Sequence, residues 1–318
     1  MSIHLHLLGG AGRIGTALVE SLLAEPVDDL SVISIYCDST KAVALQERQS
    51  PDCRPRIQAR GYSAFGMSVL PNEESAFLEG RQVVVNLRGV NDKRQWLNQP
   101  LDAMELHTQA CRCVIDSDLW MHSSVEVIHL SSQLCDLIEG AHALEQICEG
   151  QESYRRPYMV SRLHQEAMLS AHAFQRGIPT SFVRLPAVYG FRDDYKSPWV
   201  LNSLSKQWNQ HHKVEPRSPE SMIYLSHRQP LISYLRSLIV HSKSEQNLRT
   251  VRYLRPPMLA MTVETLASLI KAPSDVDFKS PTNINAIALI GSGDIQESDR
   301  LFHLQLLSCT IDNLQHHG

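Results

Sequence analysis

The pattern of apolar positions is clearest near the start of the chain, where a short apolar run over residues 5–8 ends in closely spaced glycines. Immediately afterwards, small and apolar side chains recur at helical spacing until Pro26, a residue that ends helices because it has no backbone N–H. The positions with this spacing are Ile14, Ala17, Leu18, Ser21 and Leu22. The pattern predicts a strand, a glycine-rich loop and a helix.

Further strands are predicted at residues 30–36, 83–87 and 125–130, where β-branched and apolar residues cluster. Helical stretches separate them, for example over residues 101–113. Strands that alternate with helices indicate right-handed crossovers and a parallel sheet. We therefore predict an α/β fold with a Rossmann-like, doubly wound parallel sheet.

The predicted domain boundary falls after residue 190. Residues 1–190 form a dinucleotide-binding domain in this prediction, and residues 191–318 form a smaller C-terminal substrate-binding or lid region with some segments that return to the first domain. Residues 299–314 carry apolar side chains at helical spacing, which predicts a docked terminal helix or an oligomer contact. Aromatic residues that either line a substrate or pack within the lid are Tyr195, Trp199 and Trp208.

Composition narrows the class of protein. Of 318 residues, 43% are hydrophobic and 20% are charged, which is ordinary for a globular protein, and the net charge of −4 provides no basic surface for nucleic acid. No apolar run approaches the ~18 residues that indicate a membrane span. The seven cysteines contain no C-x-x-C pair, and Met1 leads directly into strand-like residues. We therefore predict a cytoplasmic protein without a metal site, whose partner is a small-molecule substrate.

The glycine-rich loop fits two dinucleotide-binding spacings. Gly10, Gly12 and Gly15 match G-x-G-x-x-G, whereas Gly9, Gly12 and Gly15 match G-x-x-G-x-x-G. Either spacing gives a tight turn, a bare backbone beside a pyrophosphate and a helix N-terminus that favours an anion. A simple turn is the alternative. The residues predicted to bind the cofactor here are Gly9, Gly12, Arg13, Ile14 and Gly15.

Two other strand ends complete the predicted cofactor site. Asp38 follows the second strand, 23 residues after Gly15, near the place where dinucleotide-binding folds put the carboxylate that binds the adenosine ribose; an Asx-turn is the alternative. Leu87 and Arg88, followed by Gly89, lie at the end of the next clear strand, where ligands bind in such sheets. A carboxylate at position 38 repels a 2′-phosphate and favours NAD. NADP stays open, because phosphate donors are near at Arg13, Ser39, Thr40 and Lys41.

A tyrosine and a cation share one face of a predicted helix further along the chain. Tyr158 and Arg162 are four residues apart, so their side chains are neighbours on a helix that begins near Pro157. A phenol is a weak base at neutral pH, and a neighbouring cation stabilises its phenolate. The arrangement therefore favours a tyrosine that takes part in proton transfer.

Four segments, in this order, resemble the extended short-chain dehydrogenase/reductase family, also called the NAD-dependent epimerase/dehydratase family. Residues 9–15 are similar to its G-x-x-G-x-x-G, and residues 130–132 are similar to the strand end that carries its catalytic Ser or Thr. Residues 158–162 resemble its Y-x-x-x-K, and residues 184–190 resemble its R-P-x-x-V-Y-G. The resemblance covers residues 3–190 and implies NAD as the cofactor.

The resemblance implies a role for three side chains. Ser132, which precedes Tyr158 by 26 residues, would hydrogen-bond the substrate oxygen, and Tyr158 would be the general acid or base. Arg162 would hold the nicotinamide ribose and support the tyrosine. Ser131 is the less favoured serine, and two serines that merely cap a strand are the alternative. Members of the family often pair through helices of the nucleotide-binding domain, so the resemblance is also compatible with a homodimer.

The chain departs from the family pattern at several positions. Arginine replaces lysine at position 162, which keeps the positive charge but adds a planar group that does not release its proton. Gln133 and Leu134 stand where the dehydratases have Asp-Glu, so dehydration is disfavoured. Residues 136–137 and 223–227 lack the expected Tyr-Gly and aspartate. Arginines considered for gripping a nucleotide diphosphate, with a surface role as the alternative, are Arg217, Arg228, Arg252 and Arg255.

The leading hypothesis is an NAD(P)-dependent oxidoreductase that transfers a hydride between nicotinamide and a carbonyl or secondary alcohol of a small organic or sugar-type substrate. One alternative is a nucleotide-sugar epimerase, which oxidises and re-reduces one carbon with the same groups. Another is a catalytically degenerate dinucleotide-binding sensor or scaffold, which arginine at position 162 permits. The catalytic residues of the enzymatic interpretations are Ser132, Tyr158 and Arg162.

Overall fold

The computed structural model divides the chain into two compact units. The first contains Met1–Arg184 and Leu235–Leu254, and the second contains Leu185–Tyr234 and Arg255–Gly318. The residues that the structure describes are 2–37, 40–47, 55–61, 80–90, 92–117, 119, 124–137, 154–191, 200–241, 250–271, 288–290 and 297–317. Within these ranges, no helix combines the length and the apolar character that crossing a membrane requires.

The described elements alternate between strand and helix over the first part of the chain. The strands are β1 Ile3–Leu8, β2 Leu30–Tyr36, β3 Arg56–Arg60, β4 Arg81–Asn86, β5 Val125–Ser132, β6 Thr180–Leu185, β7 Ala187–Tyr189, β8 Met222–His227, β9 Val251–Leu254, β10 Met258–Thr262 and β11 Ala288–Ile290. The helices are α1 Arg13–Ala24, α2 Thr40–Glu47, α3 Lys93–Asn98, α4 Pro100–Ile115, α5 Arg155–Arg176, α6 Val200–His211, α7 Arg228–His241, α8 Val263–Lys271 and α9 Glu297–His317. A short 3-10 helix, Gln133–Leu137, follows β5 directly.

Seven strands form the sheet of the first unit, in the order β3-β2-β1-β4-β5-β6-β9. The pairs β3–β2, β2–β1, β1–β4, β4–β5 and β6–β9 are parallel. Chain order reverses between β1 and β4, and ligands of doubly wound sheets bind in the crevice beyond the carboxyl ends of such strands. The predicted Rossmann-like, doubly wound fold is therefore confirmed.

Apolar side chains fix the helices of this unit to the sheet. Phe182 of β6 shares one buried core with Val114 of α4 and Leu169 of α5. Helix α1 buries Leu18 and Leu22, as its helical spacing predicts. Burying each such side chain contributes roughly 1.5–3 kcal/mol. The loops that follow β1 and β4 are thus carried by a rigid, well-packed layer.

A hydrogen-bonded row of buried polar side chains, which we call the polar row, crosses one face of the sheet. His6 bonds to the Tyr36 hydroxyl through Nδ1 at 3.1 Å and to Gln82 Oε1 through Nε2 at 2.9 Å. His4 bonds to Ser34 Oγ through Nε2 at 2.9 Å, and its ring stacks on that of His6 with 4.1 Å between centroids. The polar row therefore joins β4, β1 and β2 through side chains as well as through the backbone.

The second unit is built on a four-stranded sheet in the order β11-β10-β8-β7. Strands β7 and β8 are parallel, whereas β8–β10 and β10–β11 are antiparallel. Helix α9 buries Leu304, Leu307 and Ile311 in the core of this unit, so the terminal helix is docked there. Trp208 packs against the same core. The other two aromatic residues of the predicted lid, Tyr195 and Trp199, lie outside the described residues.

Candidate active site

The loop after β1 is a tight turn closed by backbone hydrogen bonds. Gly9 has a φ of +78°, a left-handed conformation that strains residues with a side chain. Its N–H donates to the Tyr36 carbonyl at 2.9 Å, and the Gly12 N–H donates to the Gly9 carbonyl at 3.0 Å. Gly12 is the N-cap of α1. The first N–H groups of any helix have no partner within it, so the loop ends in backbone donors suited to an anion.

Gly15 allows α1 to lie close to this loop. A Cβ at Gly15 would stand 2.4 Å from the Gly10 carbonyl oxygen and 2.5 Å from its Cα. A Cβ at Gly10 would stand 2.9 Å from both the Leu7 Cβ and the Ile35 Cγ2. These gaps are too short for a carbon atom, so the loop leaves no room for side chains at either position.

The residues after β4 lie beside the glycine loop. The Leu87 N–H donates to the Leu8 carbonyl at 2.9 Å, and a Cβ at Gly9 would stand 3.0 Å from the Arg88 Cα. The Arg88 side chain reaches Cys113, with 3.6 Å from Nη1 to Sγ. The structure thus brings Gly9, Leu87 and Arg88 together. Asp38 and Ser39, and the side chains of Thr40 and Lys41, lie outside the described residues.

Tyr158 and Arg162 lie on α5 and contact each other as their spacing predicts. Arg162 Nε donates to the Tyr158 hydroxyl at 3.3 Å, and the guanidinium carbon lies 5.3 Å from the centre of the phenol ring. Trp96 of α3 packs edge-on against that ring, with 5.4 Å between centroids. Tyr158 is half-buried, whereas Arg162 is 5% exposed. A partly accessible phenol is therefore held beside a buried cation.

The guanidinium of Arg162 also binds acceptors of the protein. Its Nη1 donates to the Leu130 carbonyl at 3.2 Å and to Gln165 Oε1 at 3.1 Å. Gln165 Nε2 in turn donates to the His107 carbonyl at 2.9 Å. These bonds hold Arg162 directly to the end of β5 and, through the Gln165 side chain, to α4.

His107 of α4 is a neutral imidazole between the loop after β4 and α5. Its Nε2 accepts the Val90 N–H at 2.9 Å, which assigns the ring proton to Nδ1, and Nδ1 donates to Ser161 Oγ at 3.0 Å. Burial, and then the positive charge of Arg162, lower the pKa of His107 to about 2. The ring therefore stays uncharged beside Arg162 and does not repel it.

His129 of β5 is a second buried imidazole near this charge. Burial, and then Arg162, lower its pKa to about 3. Neither ring nitrogen has a hydrogen-bond partner among the described residues, and the ring packs edge-on against Phe182 with 5.9 Å between centroids. A protonated His129 would place a second cation, without an acceptor, inside the sheet.

The two serines that end β5 have different surroundings. Ser131 donates to Glu166 Oε1 at 2.6 Å. Ser132 Oγ accepts the Leu134 N–H at 3.3 Å, which caps the 3-10 helix. A hydroxyl that accepts through oxygen can still donate its hydrogen. The hydroxyl of Ser131 is therefore committed to a buried carboxylate, whereas that of Ser132 retains a donor.

Arg184 forms a buried ion network that explains one departure from the family pattern. It donates to both oxygens of Glu166, at 3.1 and 2.7 Å, and to Asp136 Oδ1 at 2.5 Å. Its guanidinium also stacks 4.5 Å from the Tyr253 ring centre. Burial disfavours the charge, but the hydrogen bonds and charges of Glu166 and Asp136 outweigh it and raise the pKa of Arg184. Asp136 therefore has a structural partner at the position where the family has tyrosine.

The four arginines considered for a nucleotide diphosphate are divided between the two units. Arg252 of β9 donates to Ser181 Oγ of the neighbouring strand at 2.9 Å, within the first unit. Arg217 and Arg255 are exposed and Arg228 is half-buried, all in the second unit. His227, which ends β8 where the family has aspartate, is buried against Gly190, and burial lowers its pKa to about 4. In the described ranges, no three His, Cys, Asp or Glu side chains are arranged to hold a metal ion.

Three further residues surround the Tyr158–Arg162 pair and are not identified by the sequence pattern. Trp96 and His107 contact the phenol ring from α3 and α4, with 5.4 and 6.2 Å between ring centroids. A single histidine or tryptophan on a helix carries no spacing signal, so only its contacts reveal its place. These residues are Trp96, His107 and Gln165.

A doubly wound sheet with a glycine loop at its switch point is the architecture of dinucleotide-binding proteins. A model of the NAD dependent epimerase/dehydratase family matches residues 5–218. The chain therefore belongs to this family, which consists of enzymes of the extended short-chain dehydrogenase/reductase type. The predicted family is confirmed. Among curated protein sequences, no relative matches the chain.

Solved structures share the fold at low sequence identity. The UDP-N-acetylglucosamine 4-epimerase of Methanobrevibacter ruminantium is 16% identical, with a TM-score of 0.63 over 98% of this chain and 99% of that chain. The UDP-glucose 4-epimerase of Thermotoga maritima is 14% identical, with a TM-score of 0.60 over 98% and 99%. The UDP-glucose 4-epimerase of Thermus thermophilus, solved with NAD, is 15% identical, with a TM-score of 0.57 over 99% and 100%.

Proposed function

We propose that this protein is an NAD-dependent oxidoreductase that moves a hydride between nicotinamide and a carbonyl or secondary alcohol. The observation that carries the proposal is the hydrogen bond from Arg162 Nε to the half-buried hydroxyl of Tyr158, 3.3 Å long. A phenol hydroxyl that is hydrogen-bonded to a fixed cation and partly accessible is placed to pass a proton to or from a bound oxygen atom. Membership of an NAD-dependent family supports the same chemistry.

The residues of the glycine loop fit a dinucleotide. A side chain at Gly15 would collide with the Gly10 backbone, and one at Gly9 would crowd the Arg88 backbone at 3.0 Å with a strained φ of +78°. The loop therefore stays bare, and the N-terminus of α1 follows it directly. In our proposal, the pyrophosphate lies against Gly9, Gly12 and Gly15 and the N–H groups that Arg13 and Ile14 contribute. Leu87 and Arg88 line the adjoining strand end, and Asp38 binds the adenosine ribose. When bound, NAD supplies the hydride acceptor or donor.

Three side chains perform the protein's part of the reaction in this proposal. Ser132 donates its hydroxyl hydrogen to the substrate oxygen and holds that oxygen in position. Tyr158 takes the proton from an alcohol or returns it to a carbonyl. Arg162 stabilises the phenolate through Nε, while Nη1 is already bonded to the protein. The arginine thus acts chiefly on the tyrosine, and less on the nicotinamide ribose than the resemblance implies.

A nucleotide-sugar epimerase is the second candidate function. The family description names epimerases, and several solved structures with the same fold are UDP-sugar 4-epimerases. Gln133 and Leu134, after Ser132, provide no acid and base for removing water, which separates this chain from the dehydratases. An epimerase uses the same three side chains twice and returns the cofactor to its starting state.

The experiment begins with calorimetric titration of the purified protein by NAD⁺, NADH and NADP⁺. We expect binding of NAD⁺ and NADH; absence of binding would overturn the proposal. The protein is then incubated with NAD⁺ and UDP-glucose, UDP-N-acetylglucosamine or simple secondary alcohols. Net formation of NADH supports the oxidoreductase, and inversion at one sugar carbon by NMR without net NADH supports the epimerase. Tight NAD binding without either reaction would instead indicate the degenerate sensor or scaffold.

Replacing Gly15 with alanine is expected to destabilise the protein by about 2 kcal/mol and to abolish tight NADH binding, because the methyl group meets the immovable backbone of Gly10. Urea denaturation and NADH fluorescence titration measure the two effects. Gly177→Ala is the control: its φ is +68°, but a Cβ there has nothing within 4 Å. That variant should lose about 1 kcal/mol of stability and keep its NADH affinity. Wild-type affinity in Gly15→Ala would contradict the proposed pyrophosphate site.

A further inference from the structure

Arg162 occupies the position at which the family has lysine, and two nitrogen atoms of its guanidinium donate hydrogen bonds to different acceptors. Nε donates to Tyr158, while Nη1 donates to the Leu130 carbonyl and to Gln165 Oε1. A guanidinium carries five N–H donors in one plane, so it can serve these separate acceptors together. An ammonium carries its donors on a single nitrogen. One nitrogen cannot occupy the positions of both Nε and Nη1, so a lysine would leave part of this arrangement unmade.

Gly89 provides the space in which the guanidinium lies. A Cβ at residue 89 would stand 2.8 Å from Arg162 Nη2 and 3.2 Å from Nη1. The same atom would stand 3.2 Å from His107 Nε2. The glycines with positive φ are Gly9, Gly80, Gly177 and Gly190 among the described residues, and Gly89 is not one of them. Glycine at position 89 therefore leaves space for the Arg162 guanidinium, and its backbone conformation does not itself require glycine.

His107 and Gln165 hold the turn of α5 that carries the arginine. His107 Nδ1 bonds to Ser161, the residue before Arg162, at 3.0 Å. The His107 carbonyl accepts from Gln165, three residues after Arg162, at 2.9 Å. Both sides of the arginine are thus anchored to one residue of α4. Because His107 Nε2 already accepts the Val90 N–H, the ring remains neutral and adds no charge beside the guanidinium.

We propose that Gly89, His107 and Gln165 are positioning residues that adapt this chain to an arginine, in place of a lysine, beside Tyr158. Gly89 makes room for the guanidinium, Gln165 accepts its Nη1, and His107 fixes the helix turn between them. The inference rests on the proposed proton-transfer role of Tyr158. It also predicts that Arg162→Lys does not reproduce the arrangement, because one ammonium nitrogen cannot bind Tyr158 and also replace Nη1 at Gln165 Oε1 and the Leu130 carbonyl.

The test measures how fast tetranitromethane, a reagent that attacks the phenolate, nitrates Tyr158. Peptide mass spectrometry locates the product, and Tyr154 on the preceding turn is the internal reference. Gly89→Ala is expected to lower the Tyr158 to Tyr154 rate ratio about fivefold, the effect of one lost net hydrogen bond. Gln165→Met, which removes the acceptor of Nη1, should lower it to a similar extent. The second variant keeps the test decisive if Gly89→Ala fails to fold.

A double-mutant comparison distinguishes an effect that acts through the Arg162 guanidinium from a general disturbance of the fold. Adding Gly89→Ala to Arg162→Lys should change the ratio by less than about twofold, because lysine has no Nη atoms in that space. Gly177→Ala, a glycine substitution at the end of the same helix, should leave the ratio unchanged. The inference is overturned if Gln165→Met retains the wild-type ratio, or if a folded Gly89→Ala either retains it or is equally harmful in the Arg162→Lys background.

The nitration assay contains neither cofactor nor substrate, so its failure differs from failure of the proposed function. A protein that binds no NAD but shows the coupling between positions 89 and 162 would refute the proposed function and retain the positioning network. A protein that binds NAD and turns over substrate without that coupling would refute the network alone.

Discussion

Tyr158→Phe is expected to reduce turnover about a hundredfold or more while NAD affinity and folding stay near those of the wild type. The substitution removes only the hydroxyl that accepts from Arg162 Nε. The ring keeps its packing against Trp96 and His107, and the glycine loop is untouched. The loss should therefore appear in kcat, measured with whichever substrate of the UDP-sugar and alcohol panel is active.

Tyr154→Phe is the matched control for this loss. Tyr154 lies one turn earlier, at the N-cap of α5, and Lys93 Nζ lies 4.9 Å above the centre of its ring. Removing its hydroxyl should leave kcat within about twofold of the wild type, because the ring that Lys93 contacts is retained. Retention of more than half of the activity by Tyr158→Phe would show that another group moves the proton.

The second large effect is a loss of stability in mild acid. His107 and His129 have pKa values of about 2 and about 3 in the folded chain, against 6.5 for an ordinary histidine, because burial and then Arg162 disfavour their charged forms. An unfolded chain binds protons at these positions below about pH 6.5, whereas the folded chain does not. The contribution of the two neutral histidines to the free energy of unfolding is therefore fully present above about pH 6.5. It decreases as the pH falls towards the pKa values of the folded state.

The lowered pKa values of His107 and His129 determine how much the free energy of unfolding decreases in acid. At about pH 5 each histidine costs about 2 kcal/mol relative to neutral pH, or about 4 kcal/mol together. That is a large part of the roughly 5–15 kcal/mol by which a folded domain is typically stable. Urea denaturation at neutral pH and at about pH 5 measures the difference in the free energy of unfolding.

His129→Leu tests the acid effect most cleanly, because no described residue hydrogen-bonds its ring. Between neutral pH and about pH 5, the free energy of unfolding of this variant should decrease by about 2 kcal/mol less than that of the wild type. His164→Gln, at an exposed position of α5, should behave as the wild type does. If His129→Leu has the same acid loss as the wild type, His129 is not the group that takes up the proton.

Local patterns were sufficient to predict the strand–loop–helix at the start of the chain and the doubly wound sheet. The predicted strand at residues 30–36 coincides with β2, and β5 continues the predicted strand up to Ser132. The Tyr158–Arg162 contact was also predictable, since a separation of four residues on a helix places two side chains together. In each case the relevant neighbours are close in sequence or repeat with a fixed period.

Contacts between distant residues could not be predicted in the same way. His107 bonds to Ser161 and Gln165, which are 54 and 58 residues away, and no spacing rule connects such positions. The different surroundings of Ser131 and Ser132 depend likewise on Glu166, which reaches the strand end from α5. Tertiary packing therefore decides which of two adjacent serines donates its hydroxyl hydrogen to the protein.

The polar row has a consequence for how the strands find their partners during folding. His4 and His6 alternate with leucines along β1, so a slip of one residue would turn both imidazoles towards the opposite face and away from Ser34, Tyr36 and Gln82. Each buried polar group left unsatisfied would cost about 1–3 kcal/mol. The polar row therefore specifies the strand register, because pairings of β1 that are shifted by one residue are less stable than the native pairing. A strand composed of leucines alone would not distinguish the two registers in this way.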